Sequence, residues 1–142
     1  MAPRSIMLKT ILRYLLSFTV VVTGILHFVA PDKLVKIVPD WLPAPRVLVY
    51  VSGVCEIVGG LGLLLNRTRT LAAWGLAALF VAVFPANVNM ALHKIYTDNP
   101  WILWGRLPFQ GILIAWAYWF TRPDTQELPD TQELDGKEAE AP

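Results

Sequence analysis

The polar side chains that stand inside otherwise apolar stretches of this chain include five that could do chemistry: His27, Glu56, Asn87, Arg106 and Gln110. Glu56 is the only carboxylate of residues 1–122 that lies within an apolar run, between Val47 and Leu65. An ionised side chain at that depth in a bilayer costs about 2.5–3.5 kcal/mol on insertion scales, so an acid kept there is paired, protonated or working. A carboxyl group and an imidazole exchange protons, while amides and a guanidinium donate hydrogen bonds to a carbonyl oxygen. The five are therefore the parts of a site that holds a polar headgroup, with Glu56 and His27 as its candidate proton-handling pair. Each also has a plainer use. Glu56 can pair with Arg106 or His27 to set helix register, and Asn87 and Asn89 can satisfy the carbonyl that Pro85 frees. Gln110 can clip two helices together, and Arg106 can snorkel to the headgroups.

The elements that position these residues follow from composition. The chain has 142 residues, 55% hydrophobic and 16% charged, with a mean hydropathy of +0.48. Those values belong to an integral membrane protein rather than a soluble domain. Four stretches are long enough to cross a bilayer, at about 8–30, 47–65, 71–94 and 100–121. The expected fold is an all-α, four-transmembrane-helix, up-down-up-down bundle over residues 1–122, with a short interfacial segment between helices 1 and 2. That segment, 31–46, mixes Leu34, Ile37 and Trp41 with Lys33, Lys36 and three internal prolines, which suits the headgroup level. With Arg4, Lys9 and Arg13 at its start the first stretch resembles a signal peptide, but it is too long for one and is read as retained.

Pro85 follows only 14 apolar residues of the third stretch, so the span must continue through it as a kinked helix. Asn99 and Pro100 form an N-cap and first helical position for the fourth, and Pro108 should bend it. Counted at 1.5 Å per residue, Glu56 and Gln110 each lie about 13 Å from the same boundary, level with one another. His27 and Asn87 fall in the same half of the membrane, making one polar layer to which all four helices contribute. Gly24 on the first helix, Gly53, Gly59 and Gly60 on the second, and Gly75, Ala78 and Ala82 on the third are expected to face inward, where small residues permit close approach.

The net charge of +1 conceals a segregation. Residues 1–122 hold 11 Lys/Arg against 4 acids, whereas residues 123–142 hold 7 acids and Lys137. The tail repeats Pro-Asp-Thr-Gln-Glu-Leu at 123–128 and 129–134, and its composition predicts an acidic disordered segment. Cations are slightly more numerous at the end shared by the N-terminus, the 66–70 turn and Arg122, which orients both termini to the cytoplasm. A single cysteine, Cys55, excludes an intramolecular disulfide. No His/Cys/carboxylate spacing suggests a metal site, and nothing suggests nucleic-acid binding.

The strings Gly24-Ile-Leu-His27-Phe28-Val-Ala-Pro31, Glu56-Ile-Val-Gly59-Gly60, Pro85-Ala86-Asn87 and Arg106-Leu-Pro108-Phe-Gln110, in that order, resemble the DoxX family of small bacterial four-helix membrane proteins. The resemblance covers about residues 8–122. It implies a plasma-membrane bundle and points to the same positions: Gly24, His27, Glu56, Gly60, Pro85, Asn87, Arg106 and Gln110. It also implies two classes of function. One is a redox-associated subunit that binds a quinone-like or other amphipathic molecule in the polar layer and takes electrons from a partner protein. The other is a non-enzymatic assembly factor, chaperone or scaffold that holds a membrane-protein client or a second copy of itself. Whether the chain catalyses anything stays open at this point.

Overall fold

The computed structural model describes residues 4–122, and the expected disordered tail lies outside the described residues. Among the described residues every regular element is a helix: α1 (Arg4–Val29), the single-turn α2 (Pro31–Val35), α3 (Pro45–Leu64), α4 (Arg69–Leu92) and α5 (Pro100–Trp119). Prolines punctuate the starts. Pro31, Pro45 and Pro100 each stand in the first turn, where a missing N–H costs no helical bond. Asn99 caps α5 by accepting the Trp101 N–H at 3.0 Å. Pro85 lies inside α4, which continues for seven residues beyond it. The segment between α2 and α3 is short and turned, with Trp41 exposed.

α1, α3 and α4 are long and apolar enough to cross a membrane. Only 22–28% of their apolar stretches is buried inside the protein, so most of that surface needs a lipid solvent. These features mark a membrane protein. α5 is as long as α3 but carries Arg106, Gln110 and two prolines, which hold it below the apolarity of the other three.

The long helices pack in chain order, α1 on α3, α3 on α4 and α4 on α5. Their common core includes Leu16, Leu63, Leu76, Phe80, Ala117 and Phe120. Between α1 and α3 the backbones approach through glycines. A Cβ built on Gly60 would stand 2.7 Å from Val21 Cγ2 and 3.1 Å from the Ser17 carbonyl oxygen. The Ser17 hydroxyl donates to the Gly60 carbonyl at 2.6 Å, and Arg13 donates to Asn66 Oδ1 at 3.1 Å. Numbers rise along α1 as they fall along α3, so the two run in opposite directions. Ser17→Ala removes one buried interhelical bond and is expected to cost about 0.6 kcal/mol, and no more than about 1.7, in an unfolding titration in mixed micelles.

The α3–α4 contact differs from the small-on-small face anticipated above. Gly75, Ala78 and Ala82 point outward, and a Cβ on Gly75 would meet nothing within 4 Å. α4 instead turns Ala73, Leu76, Ala77, Phe80 and Asn87 inward. The Leu76 side chain fills the notch at Gly59, 2.6 Å from where a Cβ would be, and Ala72 fills the one at Gly62. Glycine on one helix thus receives a larger side chain from the other, which buries more area than two small faces would. At the opposite end Met90, Ala91 and Leu103 form a second cluster with Ile37, and the Asn89 amide ties this end down by donating to the Ile37 carbonyl at 3.1 Å. Asn89 therefore serves the α2–α3 connection and not a carbonyl freed by Pro85.

Candidate functional site

Gly24 and His27 are three residues apart on α1, and Gly53 and Glu56 are three apart on α3. Because the helices run in opposite directions, the two motifs meet head to tail. A Cβ on Gly53 would stand 2.6 Å from His27 Cβ, and one on Gly24 would stand 3.0 Å from Glu56 Cβ. Each glycine makes the space that the other helix's polar residue occupies.

Within that space His27 Nδ1 lies 2.8 Å from the Thr23 carbonyl oxygen and 3.5 Å from Glu56 Oε2. A carbonyl only accepts, so Nδ1 carries the proton and Nε2 is the ring atom left for a further partner. The His27 and Glu56 side chains are 15% and 10% exposed. Glu56 Oε2 is buried without a hydrogen bond, and the Thr23 hydroxyl on the facing helix lies 3.0 Å from the Val20 carbonyl oxygen. A proton can reside on either member of this pair. It sits as a carboxyl beside a neutral imidazole, or as a carboxylate beside an imidazolium.

The second pair joins α4 to α5. Asn87 Nδ2 donates to Gln110 Oε1 at 3.2 Å, and Gln110 Nε2 donates to the Phe80 carbonyl at 2.9 Å. Both side chains are buried. Pro85 has no N–H for the Val81 carbonyl, yet the carbonyl served here is Phe80's, one residue earlier, and Gln110 rather than Asn87 serves it. Gln110 is the cross-helix clip that its position suggested.

Arg106 joins neither pair. Its side chain is exposed and, among the described residues, makes no hydrogen bond or ion pair. The Arg106–Glu56 pairing considered from sequence is not formed, because the acid faces α1 while the arginine lies on the outer surface of α5. Trp101 and Trp104, which border this level, are exposed as well. The polar groups thus form two side-chain pairs, one on each helix pair, and an outward cation.

A family model described as a domain of unknown function, DUF8561, matches residues 16–121. The chain belongs to the DUF8561 family. The DUF8561 match spans both pairs and all four long helices, though it starts inside α1, beyond Arg13. No curated protein matches the chain, and no solved structure matches it.

The head-to-tail pairing of Gly-x-x-His with Gly-x-x-Glu went unread in the sequence, although its signal was there. Two glycines each three residues before a membrane-embedded titratable group, on consecutive antiparallel spans, can be recognised without coordinates. The exposure of Arg106 had a weaker signal. Gln110 and Arg106 are four apart and nominally share a face, but long side chains on a surface stripe reach outward.

Proposed function

We propose that this DUF8561 protein is a DoxX-like, four-span, up-down-up-down bundle of the bacterial plasma membrane with both termini in the cytoplasm. In this reading it is a subunit of a redox-associated membrane complex. It binds the headgroup of an amphipathic, quinone-like molecule at Glu56 and His27 and exchanges protons with it. The single observation that carries the reading is the buried Glu56 Oε2, left without a hydrogen bond beside an imidazole whose Nε2 is uncommitted. A quinone-type headgroup fits such a donor set, because its oxygens accept in one state and donate in the other. When bound it supplies the redox chemistry, and electrons come from a partner, since the chain has no redox-cofactor motif of its own. The chain's part is to hold a proton at Glu56 Oε2 or His27 Nε2 and to keep water away from both. Asn87 and Gln110 engage each other and line the adjoining helix pair, while Arg106 lies at the surface, so the reading rests on the first pair.

The experiment is extraction of lipophilic cofactors from protein purified in mild detergent. Wild type is expected to carry quinone, and Glu56→Gln and His27→Ala are each expected to reduce the bound amount at least about tenfold, the loss of one charge-assisted bond to the ligand. Equal amounts in all three preparations would sink the reading.

The closed Asn87–Gln110–Phe80 network favours a second reading, because its polar groups have only a structural task. There the chain is a scaffold for a membrane-protein client. One client that co-purifies undiminished with Glu56→Gln and His27→Ala would select this reading over the first.

A further inference from the structure

The long helices pack in the order α1, α3, α4, α5, and among the described residues the remaining side of the bundle, between α1 and α5, closes at one end only. Where α1 begins and α5 finishes, Leu16 and Phe120 are both fully buried in the common core, and Lys9 Nζ donates to the Arg122 carbonyl at 3.3 Å. Beyond this end the two helices part. Ile102, Arg106, Phe109, Leu113, Trp116 and Phe120 follow one another at steps of four and three residues, one stripe along α5. Burial falls steadily up this stripe. Phe120 is sealed, Trp116 and Leu113 are partly buried against the core, and Phe109, Arg106 and Ile102 are exposed. The change falls beside Pro108, which has no N–H for the Trp104 carbonyl. α1 shows the same change. Thr19, one turn past the sealed Leu16, is exposed, and Thr23 and His27, farther along the Leu16 side of the helix, are half-buried.

We propose that this gap between α1 and α5 holds the hydrocarbon tail of the amphiphile whose headgroup meets Glu56 and His27, and that the molecule enters through it sideways from the bilayer. The proposal rests on the reading of that pair as a headgroup site. Glu56 lies two turns before Leu63 on the same side of α3, so the acid stands where the core stripe of α3 runs on past the sealed end. Its side chain is 10% exposed, and its Oε2 is buried without a hydrogen bond. The walls suit a hydrocarbon chain. The Thr19 and Thr23 hydroxyls are engaged by the Leu15 and Val20 carbonyls of their own helix, at 2.9 and 3.0 Å, so the two residues offer the gap methyl groups. On the α5 side stand Phe109 and Leu113, and the one charge of that stripe, Arg106, has a side chain long enough to reach the headgroup level. A second membrane helix would need small residues for close backbone approach, and Phe109 and Arg106 keep it away from α5 at this level. An acyl or isoprenoid chain is thin enough to pass.

The test photolabels the full chain, in mild detergent, with a quinone that carries a diazirine in its isoprenoid tail. Adducts are expected on Thr19, Phe109 and Leu113 about tenfold above Val58 and Val81, since a tail tethered by its headgroup has a high local concentration. Val58 and Val81 are 63% and 56% exposed, against 58% for Phe109, so exposure alone would label them equally. Thr19→Trp is expected to fill the gap and lower the bound quinone about fivefold, the low end of an overpacking cost, whereas Val58→Trp leaves it unchanged. Thr19 is exposed, so its variant is expected to keep the wild-type unfolding transition, and the labelling pattern needs no variant at all. Quinone retained with adducts spread evenly over exposed residues overturns the tail site and leaves the headgroup reading standing. Equal quinone binding by Thr19→Trp and Val58→Trp does the same. If wild type retains no quinone, the headgroup reading fails instead; a diazirine fatty acid is then the probe, whose enrichment in the gap upholds the tail site and whose uniform labelling overturns it.

Discussion

Gly53→Ala is expected to destabilise the bundle by about 2 kcal/mol or more, while Gly105→Ala and Gly111→Ala leave it unchanged or raise its stability by up to about 1 kcal/mol. The three substitutions add the same methyl group to glycines within long helices. At Gly53 that methyl would stand 2.6 Å from His27 Cβ, 2.9 Å from a Phe28 ring carbon and 3.0 Å from the Gly24 carbonyl oxygen. Two of these neighbours cannot swing away, since one is backbone and the other is fixed to it. α1 must retreat from α3. That retreat also separates His27 from Glu56, so Gly53→Ala should reduce ligand retention along with stability. At Gly105 and Gly111 a methyl meets nothing within 4 Å, and only the better helix propensity of alanine remains. Denaturation in mixed detergent micelles, with all three variants in parallel, measures the contrast. Equal effects at Gly53 and Gly111 would show that the α1–α3 approach is not what holds the bundle.

Gln110→Leu is expected to cost about 3 kcal/mol or more. It removes two hydrogen bonds of a kind that averages about 0.6 kcal/mol between membrane helices. It also leaves the Asn87 amide and the Phe80 carbonyl buried without partners, at roughly 1–3 kcal/mol for a stranded group. Asn87→Leu made together with Gln110→Leu should recover part of the loss, because two apolar side chains then replace a broken pair. A double-mutant cycle between the positions should return a coupling of about 0.5 kcal/mol or more. Additive losses would mean that Asn87 and Gln110 do not depend on each other.

Much of the helical frame is legible one segment at a time. The apolar stretches, the prolines at first-turn positions and the Asn99 cap are local signals, and the helices start where those signals stand. The continuation of α4 through Pro85 was also legible, because 14 residues before the proline are too few for a span. Facing was harder. The Gly75, Ala78 and Ala82 stripe has small-residue spacing, yet it turns outward, because the notches at Gly59 and Gly62 are better filled by Leu76 and Ala72. A stripe of small residues on one helix does not say whether its neighbour offers small residues or large ones.

The candidate site divides in the same way. That Glu56, Asn87 and Gln110 are buried and His27 half-buried on apolar helices was readable from their surroundings in the chain, since burying a polar group is costly enough to demand a reason. Which of them pair was decided only by tertiary contact. The rotation of each helix about its axis depends on how closely glycines let two backbones approach, and at Gly24 and Gly53 that approach sets the acid beside the histidine rather than the arginine. Residue type and depth are properties of one chain segment, whereas partnership is a property of the packing between segments.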